Sequence, residues 1–216
     1  MRSPRTSSEL ALPGLVDVRI DGITRGSFIL RGALATAAVY GAGAATPFVR
    51  GALAQSDASD SAILDFALRL ETLEAKFYDD ALKQVPDMTS AVRSVVKDVR
   101  DHEHQHRETI AEMILQLGIS NSPPPKLDFG DAFSSQQRFL TVAKQLEDTG
   151  VAAYNGAAPE LFTRSILSLV AQVVQIEARH AAVMRDFLGD PIADGAFDKP
   201  LDEAQVADRV KPYITG

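Results

Sequence analysis

The chain has 216 residues, of which 45% are hydrophobic, enough to bury a core. It contains no cysteine, which excludes disulfides and thiolate metal sites, so any metal must be bound by Glu, Asp or His. The 22 basic and 29 acidic residues give a net charge of −7, which argues against nucleic-acid binding.

Residues 1–54 differ from the rest of the chain and predict an export signal. An uncharged stretch of 18 residues runs over Gly32–Val49. It is followed by Ala52-Leu53-Ala54, a small-x-small pattern of the kind read by signal peptidase, which predicts a mature chain beginning at Gln55. Residues 24–31 resemble a twin-arginine signal with glycine in place of the second arginine, so general secretion stays open. The alternative is an ordinary N-terminal helix or a retained membrane anchor.

From Ala58 onward, apolar residues recur at steps of three and four, and no alternating strand pattern is found. This periodicity predicts four helices, separated by breaks that contain proline or glycine, at residues 58–84, 88–118, 131–157 and 160–189. They form one predicted domain at residues 55–190. The tail at 191–216 carries no recognisable motif and is interpreted as an arm lying on this domain.

The second pair of helices repeats the first pair along the seam, the face of each helix that meets the others. The seams of the first and third helices agree at five of six positions: Leu64, Ala67, Glu71, Glu74, Tyr78 and Ala81 against Leu140, Ala143, Glu147, Gly150, Tyr154 and Ala157. The second and fourth helices share a Glu and a His at the same depth, Glu103 and His106 against Glu177 and His180. The sequence therefore predicts a duplicated helical hairpin.

The lengths of the connections predict how the two hairpins are joined. Short links at Pro86 and Pro159 make each pair of helices antiparallel neighbours. The link over residues 118–130 contains three prolines and can stretch about 43 Å, which exceeds the length of about 38 Å of a 25-residue helix. The predicted fold is therefore all-α, a ferritin-like four-helix bundle with one long crossover between helices 2 and 3.

Ionisable residues stand on the seam where a bundle normally places Leu and Val. Four buried carboxylates without compensation would cost several kcal/mol each, and the seam contains no Lys or Arg to balance them. Two divalent cations would balance the four charges, and two neutral imidazoles would complete their coordination. The donors suit iron or manganese, with zinc as an alternative. The predicted metal ligands are Glu71, Glu74, Glu103, His106, Glu147, Glu177 and His180.

Several of these residues and their neighbours have two interpretations. Glu74 faces Gly150 in the repeat, so it is either an additional, asymmetric ligand or an acid near the rim. Tyr78 and Tyr154 lie two turns beyond Glu71 and Glu147. Each is either a core tyrosine whose hydroxyl bonds a ligand carboxylate or a catalytic residue that donates an electron to the oxidised centre.

The remaining two histidines lie on other faces of the second helix. The favoured interpretation of His102 and His104 is that they are solvated or stand behind the ligands.

The set Glu71, Glu103-x-x-His106, Glu147 and Glu177-x-x-His180 resembles the ferritin-like superfamily of dimetal carboxylate proteins over residues 58–189. Within it, residues 70–78 resemble the first helix of exported ferritin-like domains, a group that includes desiccation- and stress-related proteins. The resemblance implies iron oxidation, peroxide reduction or oxygen activation at a dimetal site, without choosing among them.

Three functions follow as hypotheses. The first is an exported di-iron oxidoreductase of ferroxidase or peroxidase type, working in the periplasm, the cell wall or the extracellular space. The second is a non-enzymatic stress protein that binds metal for stability or binds none, and the third is an iron-storage ferritin. The expected partners are two iron ions, with manganese or zinc as alternatives, and oxygen or hydrogen peroxide. No nucleic acid and no membrane span in the mature form are expected, and a homo-oligomer is left open.

Overall fold

The computed structural model describes the backbone of residues 42–215 and the side chains of residues 60–215. The described residues from Leu53 onward form one compact unit. The helices are α1 (Ala42–Gln84), α2 (Ser90–Gln116), α3 (Gln136–Ala157), α4 (Arg164–Leu188) and α5 (Glu203–Val210). Within the described residues there is no β-sheet, and Leu127 and Ile214 form an isolated antiparallel bridge. The prediction of an all-α bundle is confirmed.

The long crossover is confirmed by hydrogen bonds at the two ends of the bundle. The backbone N–H of Gln136, the first residue of α3, donates to Asp87 at 2.7 Å, and the Gln136 side chain accepts from the N–H of Thr89 at 2.7 Å. Helix α3 therefore begins where α2 begins. At the opposite end, Asp60 of α1 accepts from the N–H groups of Phe162 and Thr163, at 2.9 and 2.8 Å, where α4 begins.

Three helices begin later than the sequence predicted, for local reasons. Residues 131–134 precede α3 as turns, because Ala132 and Phe133 pack into the core and Ser135 caps the helix by accepting from the N–H of Arg138. Helix α4 starts at Arg164 rather than 160, because Pro159 lies in a short 3-10 turn that precedes it. Helix α2 begins at Ser90 rather than 88, because Thr89 is its cap, and it ends at Gln116, two residues before Gly118, whose φ is 66°.

Helix α1 begins earlier than the predicted residue 58, at Ala42. Its first part is rich in alanine, the strongest helix former, and the backbone continues as helix through Ala52-Leu53-Ala54. The remainder of the predicted export signal, residues 1–41, lies outside the described residues. Export and cleavage therefore stay predictions from the sequence.

Two apolar clusters fill the bundle above and below its middle. One contains Phe77, Tyr78 and Phe139, whose rings contact one another, and the other contains Tyr154 with Ile110 and Ile166. The buried carboxylates lie on the same helices, between these two clusters in sequence. The apolar clusters thus keep the middle of the bundle away from water.

The C-terminal arm docks on α3 through a glycine. The N–H of Leu201 donates to the carbonyl of Ala152 at 3.0 Å. A Cβ added at Gly156 would lie 1.9 Å from the carbonyl oxygen of Leu201, so the arm fills the space of the missing side chain. Arg185 of α4 ties the arm to the bundle by donating to Asp194 of the arm at 2.6 Å and to Asp148 of α3 at 2.8 Å.

Among the described helices, α4 alone has the length and apolar composition to cross a membrane. The test is weak for one helix, since the core helix of a water-exposed bundle also meets it. Helix α4 carries Glu177 and His180, both buried against the other helices, and this is the pattern of a core helix.

Candidate metal centre

Six side chains from four helices converge in the middle of the bundle. Each of α2 and α4 contributes a Glu and, one turn later, a His on the same face, whereas α1 and α3 contribute one Glu each. All four carboxylates have no exposed surface, and His180 is 4% exposed. The residues are Glu71, Glu103, His106, Glu147, Glu177 and His180.

These side chains form two groups whose ligand atoms all lie within 4.8 Å of one another. The first group contains Glu71, His106 and the two shared carboxylates, those of Glu103 and Glu177. The second group contains Glu147 and His180 with the same two carboxylates. The sequence predicted two ions held by these residues; the sharing of two carboxylates between the groups is found in the structure.

The distances in each group match those between ligands of one ion. His106 Nδ1 lies 2.9 Å from Glu177 Oε1, 3.4 Å from Glu71 Oε2 and 3.5 Å from Glu103 Oε2. Two donors about 2.1 Å from a metal are about 3.0 Å apart at a right angle and about 3.4 Å apart at the tetrahedral angle.

The second group repeats these distances with the other oxygens of the shared carboxylates. His180 Nδ1 lies 2.8 Å from Glu103 Oε1, 3.4 Å from Glu147 Oε2 and 3.9 Å from Glu177 Oε2. Glu103 and Glu177 therefore each present one oxygen to each group. Each of these two carboxylates could therefore contact both ions.

Among the described residues, none forms a hydrogen bond of good geometry with the donor atoms that converge. Both oxygens of Glu103 and Glu177, one oxygen of Glu71 and of Glu147, and Nδ1 of His106 and of His180 are buried and unpartnered. Buried polar atoms are almost always hydrogen-bonded, because an unpartnered one costs about 1–3 kcal/mol. A shared set of unpartnered oxygens and imidazole nitrogens fits two metal ions.

Tyr78 and Tyr154 fix the two carboxylates that are not shared. The hydroxyl of Tyr78 on α1 donates to Glu147 Oε1 on α3, and the hydroxyl of Tyr154 on α3 donates to Glu71 Oε1 on α1. Each tyrosine thus bonds a carboxylate of the other hairpin. The second oxygen of that carboxylate, Oε2, is left to face the ligand group. This is the structural interpretation offered for these residues above, and their role as electron donors stays a prediction.

Burial dominates the acid–base behaviour of most of the carboxylates. It raises the pKa of Glu74 and Glu177 well above the ordinary value, and the neighbouring carboxylates raise both further. Burial also raises the pKa of Glu147, and it raises that of Glu71 to about 7. Without metal, the centre lowers its negative charge by retaining protons.

The histidines behave in the opposite way. Burial lowers the pKa of His106, but the surrounding carboxylates outweigh burial and raise it to about 12; the same balance raises the pKa of His180 to about 11. Burial would raise the pKa of Glu103, but its contacts with both histidines outweigh burial and lower it to about 2. A metal ion must therefore displace protons from the imidazoles, so metal affinity depends on pH.

Glu74 lies in the centre of the bundle but outside both ligand groups. Its side chain has no exposed surface, and neither of its oxygens has a hydrogen-bond partner within the described part of the chain. A Cβ added at Gly150 would lie 3.3 Å from Glu74 Oε1 and 3.3 Å from Glu177 Oε2. The repeat thus places Glu74 opposite a residue without a side chain, and the acid lies beside the ligands and is fully buried, not at a rim.

His102 stands directly behind one of the ligand histidines. Its Nδ1 lies 3.0 Å from Nε2 of His180, whose Nδ1 faces the carboxylates. Burial and the neighbouring imidazoles lower the pKa of His102, so it is a neutral acceptor, and we assign the hydrogen to Nε2 of His180. His104 lies elsewhere, with Nε2 3.2 Å from Asp79 Oδ2. The sequence could not separate the two, because both lie on faces of α2 away from the seam.

Replacing His102 by leucine should weaken metal binding in the second group, because Nε2–H of His180 loses its acceptor. Losing such a partner typically costs about 10–100-fold in metal affinity. Competition with a chromophoric chelator measures this affinity. His102→Gln, which retains an acceptor, should restore part of it, and His104→Leu should bind like the parent. Equal affinities of His102→Leu and the parent would contradict this role.

Comparison with known proteins agrees with the geometry. A family model described as a ferritin-like domain matches residues 59–190, which includes every residue of both ligand groups. No curated protein matches the chain at a significant level. A match over more than half of the chain, to a region whose buried Glu and His residues form two bridged ligand groups, shows that this chain belongs to the ferritin-like domain family.

Proposed function

We propose that the protein is a di-iron redox protein whose iron is oxidised by hydrogen peroxide or oxygen, in the manner of a ferroxidase or peroxidase. The observation that carries the proposal is the pair of ligand groups that share Glu103 and Glu177, with their donor atoms buried and unpartnered. Carboxylate and imidazole donors suit iron or manganese, and two ions in one centre can supply electrons in pairs. Export to the periplasm, cell wall or extracellular space stays a part of this proposal.

A bound pair of iron ions would supply two electrons, one from each ion, so that one hydrogen peroxide and two protons give two waters. The protein's residues prepare the centre for this exchange. The four carboxylates would balance two divalent charges, and Tyr78 and Tyr154 keep Glu147 and Glu71 in a fixed orientation. The apolar clusters exclude bulk water.

The proposal is tested with protein loaded under anaerobic conditions with two ferrous ions per chain and then mixed with hydrogen peroxide. We expect one peroxide to be consumed for every two ferrous ions oxidised, as measured by ferrous chelation and peroxide assay. His104→Ala, altered on the same helix but outside the ligand groups, should behave like the parent.

Two other results would favour the alternatives. If bound ferrous iron is not oxidised faster than iron in buffer, the metal is structural and the stress-protein hypothesis replaces this one. If oxidised iron accumulates far beyond two ions per chain in an assembly of many subunits, iron storage is the function.

A further inference from the structure

A cavity of about 630 Å³ lies between α1, α3 and the C-terminal arm. Its volume falls within the range of about 300–1,000 Å³ that is usual for sites that bind small molecules. Its lining is mostly apolar, with Ile63, Phe66 and Leu70 from α1, Ala153 and Tyr154 from α3, and Leu201 from the arm. Neither ligand group uses this space.

The cavity lies where the two hairpins differ by one large side chain. On α1, Phe77 comes just before Tyr78, and its ring packs 5.2 Å from the ring of Phe129 and 5.2 Å from that of Phe133, between centroids. On α3, the residue just before Tyr154 in the repeat is Ala153, which lines the cavity. The first hairpin thus fills with a phenylalanine the space that the second leaves open.

Tyr154 connects this cavity with the candidate metal centre. Its ring lines the cavity, and its hydroxyl donates to Glu71 Oε1, while Glu71 Oε2 belongs to the first ligand group. One side chain therefore separates the cavity from a ligand carboxylate. Tyr78 makes the matching hydrogen bond to Glu147, but it is fully buried and its ring contacts Phe77 and Phe139.

The lining of the cavity favours an uncharged aromatic ligand. Its charged groups are the carboxylates of Glu160, Asp202 and Glu203, and no lysine or arginine lines it within the described part of the chain. These carboxylates repel anions, and the apolar walls disfavour any charged ligand because it would lose its hydration. An aromatic ring, in contrast, packs well against the rings of Phe66 and Tyr154.

The proposed reaction needs a source of electrons for every turnover after the first. Once one hydrogen peroxide has been reduced, two ferric ions remain, and two electrons must return to them. A hydroquinone is a neutral aromatic molecule that loses two electrons and two protons as it becomes a quinone. In sum, one hydroquinone and one hydrogen peroxide give one quinone and two waters, so atoms and electrons balance.

We infer that the cavity binds a neutral reductant of the hydroquinone class and that its electrons reach the metal pair through Tyr154. The electron transfer rests on the proposed redox function, whereas the cavity binds the reductant with or without iron. The two protons of the hydroquinone pass to water, which supplies the two that hydrogen peroxide takes up. Tyr154 undergoes no net change, and Tyr78 acts only as a positioning residue.

The first measurement is binding to the metal-free protein, by calorimetric titration with trimethylhydroquinone. Ala153→Phe places in the cavity the side chain that the repeat has at Phe77. The parent should bind the probe saturably, and Ala153→Phe should bind it at least about tenfold more weakly, because the added ring occupies the space. Hydroquinone sulfonate, which carries a negative charge, should bind the parent at least about tenfold more weakly than the neutral probe.

The second measurement is reduction of the oxidised centre. Protein loaded with two ferrous ions per chain and oxidised with hydrogen peroxide is mixed with trimethylhydroquinone without oxygen, and the loss of ferric absorbance is followed. Tyr154→Phe keeps the ring that lines the cavity, so it should bind the probe like the parent. Tyr78→Phe removes the equivalent hydrogen bond to Glu147, so its rate shows the cost of a misoriented carboxylate alone. At saturating probe, Tyr154→Phe should be at least about tenfold slower than Tyr78→Phe.

Ala153→Leu adds a smaller side chain and should weaken binding by an intermediate amount, so it carries the binding test if Ala153→Phe does not fold. If the parent does not bind trimethylhydroquinone, or if the folded variants at Ala153 bind it as tightly as the parent, the cavity is not the site and the inference is wrong. If Tyr154→Phe is reduced as fast as Tyr78→Phe, the electrons do not pass through Tyr154, and the inference is wrong on that point.

A failure of the proposed function gives a different result. In that case the parent does not bind or oxidise iron, yet the metal-free protein binds trimethylhydroquinone and loses this binding in Ala153→Phe. The assignment of the cavity would then stand without the redox reaction.

Discussion

Replacing Glu177 by alanine should lower the metal content from two ions per chain to one or none. Glu177 presents Oε1 to the first ligand group and Oε2 to the second, so the substitution removes a ligand and a negative charge from both. Replacing His106 by alanine removes a neutral ligand from the first group only, and the content should fall to one ion. Elemental analysis of protein reconstituted with iron and freed of excess metal measures both results.

His104→Ala is the matched control for these variants, since it changes a histidine of α2 that contacts Asp79 outside the centre. It should retain two ions per chain. The dimetal interpretation is wrong if the reconstituted parent holds no stoichiometric metal, or if the Glu177 and His106 variants both hold as much as the parent.

The metal-free protein should lose stability as pH rises from 6 to 9. Its native state holds His106 and His180 with pKa values of about 12 and 11, whereas the unfolded chain releases these protons near the ordinary histidine value. Unfolding therefore releases protons in this window, and the free energy of unfolding falls with rising pH. The raised pKa values of Glu74 and Glu177 also make the free energy of unfolding fall with rising pH, at pH values above the ordinary pKa of Glu.

We expect the melting temperature of the metal-free protein to fall by about 5 °C or more over this range, as measured by circular dichroism. Glu103 does not change the direction of this trend. Its lowered pKa stabilises the native state, and that stabilisation is already complete at any pH above the ordinary pKa of Glu. The metal-bound protein should not show this fall, because metal has replaced the protons on the imidazoles. Identical pH trends with and without metal would contradict the coupling of metal and protons.

Much of the fold and the ligand set could be predicted from the sequence because polar residues on a seam have few explanations. Glu103 and His106 recur as Glu177 and His180 at the same depth, and a buried carboxylate requires compensation whatever the details of packing. The crossover could be predicted from length alone, because even the thirteen residues over 118–130 can span the bundle; in the structure the link between α2 and α3 is longer, residues 117–135.

The features that could not be predicted from the sequence depend on contacts between helices. The hydrogen bonds from Tyr78 to Glu147 and from Tyr154 to Glu71 depend on the distance between α1 and α3. The periodicity of the sequence does not give this distance. The position of His102 behind His180 depends on the relative rotation of α2 and α4. Helix α3 starts late because Phe133 packs into the core from a turn that precedes the helix. The spacing of Phe133 in the sequence would equally suit a helix.

The crossover between α2 and α3 also constrains the order of folding. Helices joined by short links can pair early, because closing a short loop costs little entropy. Each ligand group, however, draws on both sides of the crossover: the first needs Glu177 with Glu71, and the second needs Glu103 with Glu147. Neither ligand group is complete until the two hairpins have docked, so tight metal binding requires the docked bundle and stabilises it against unfolding.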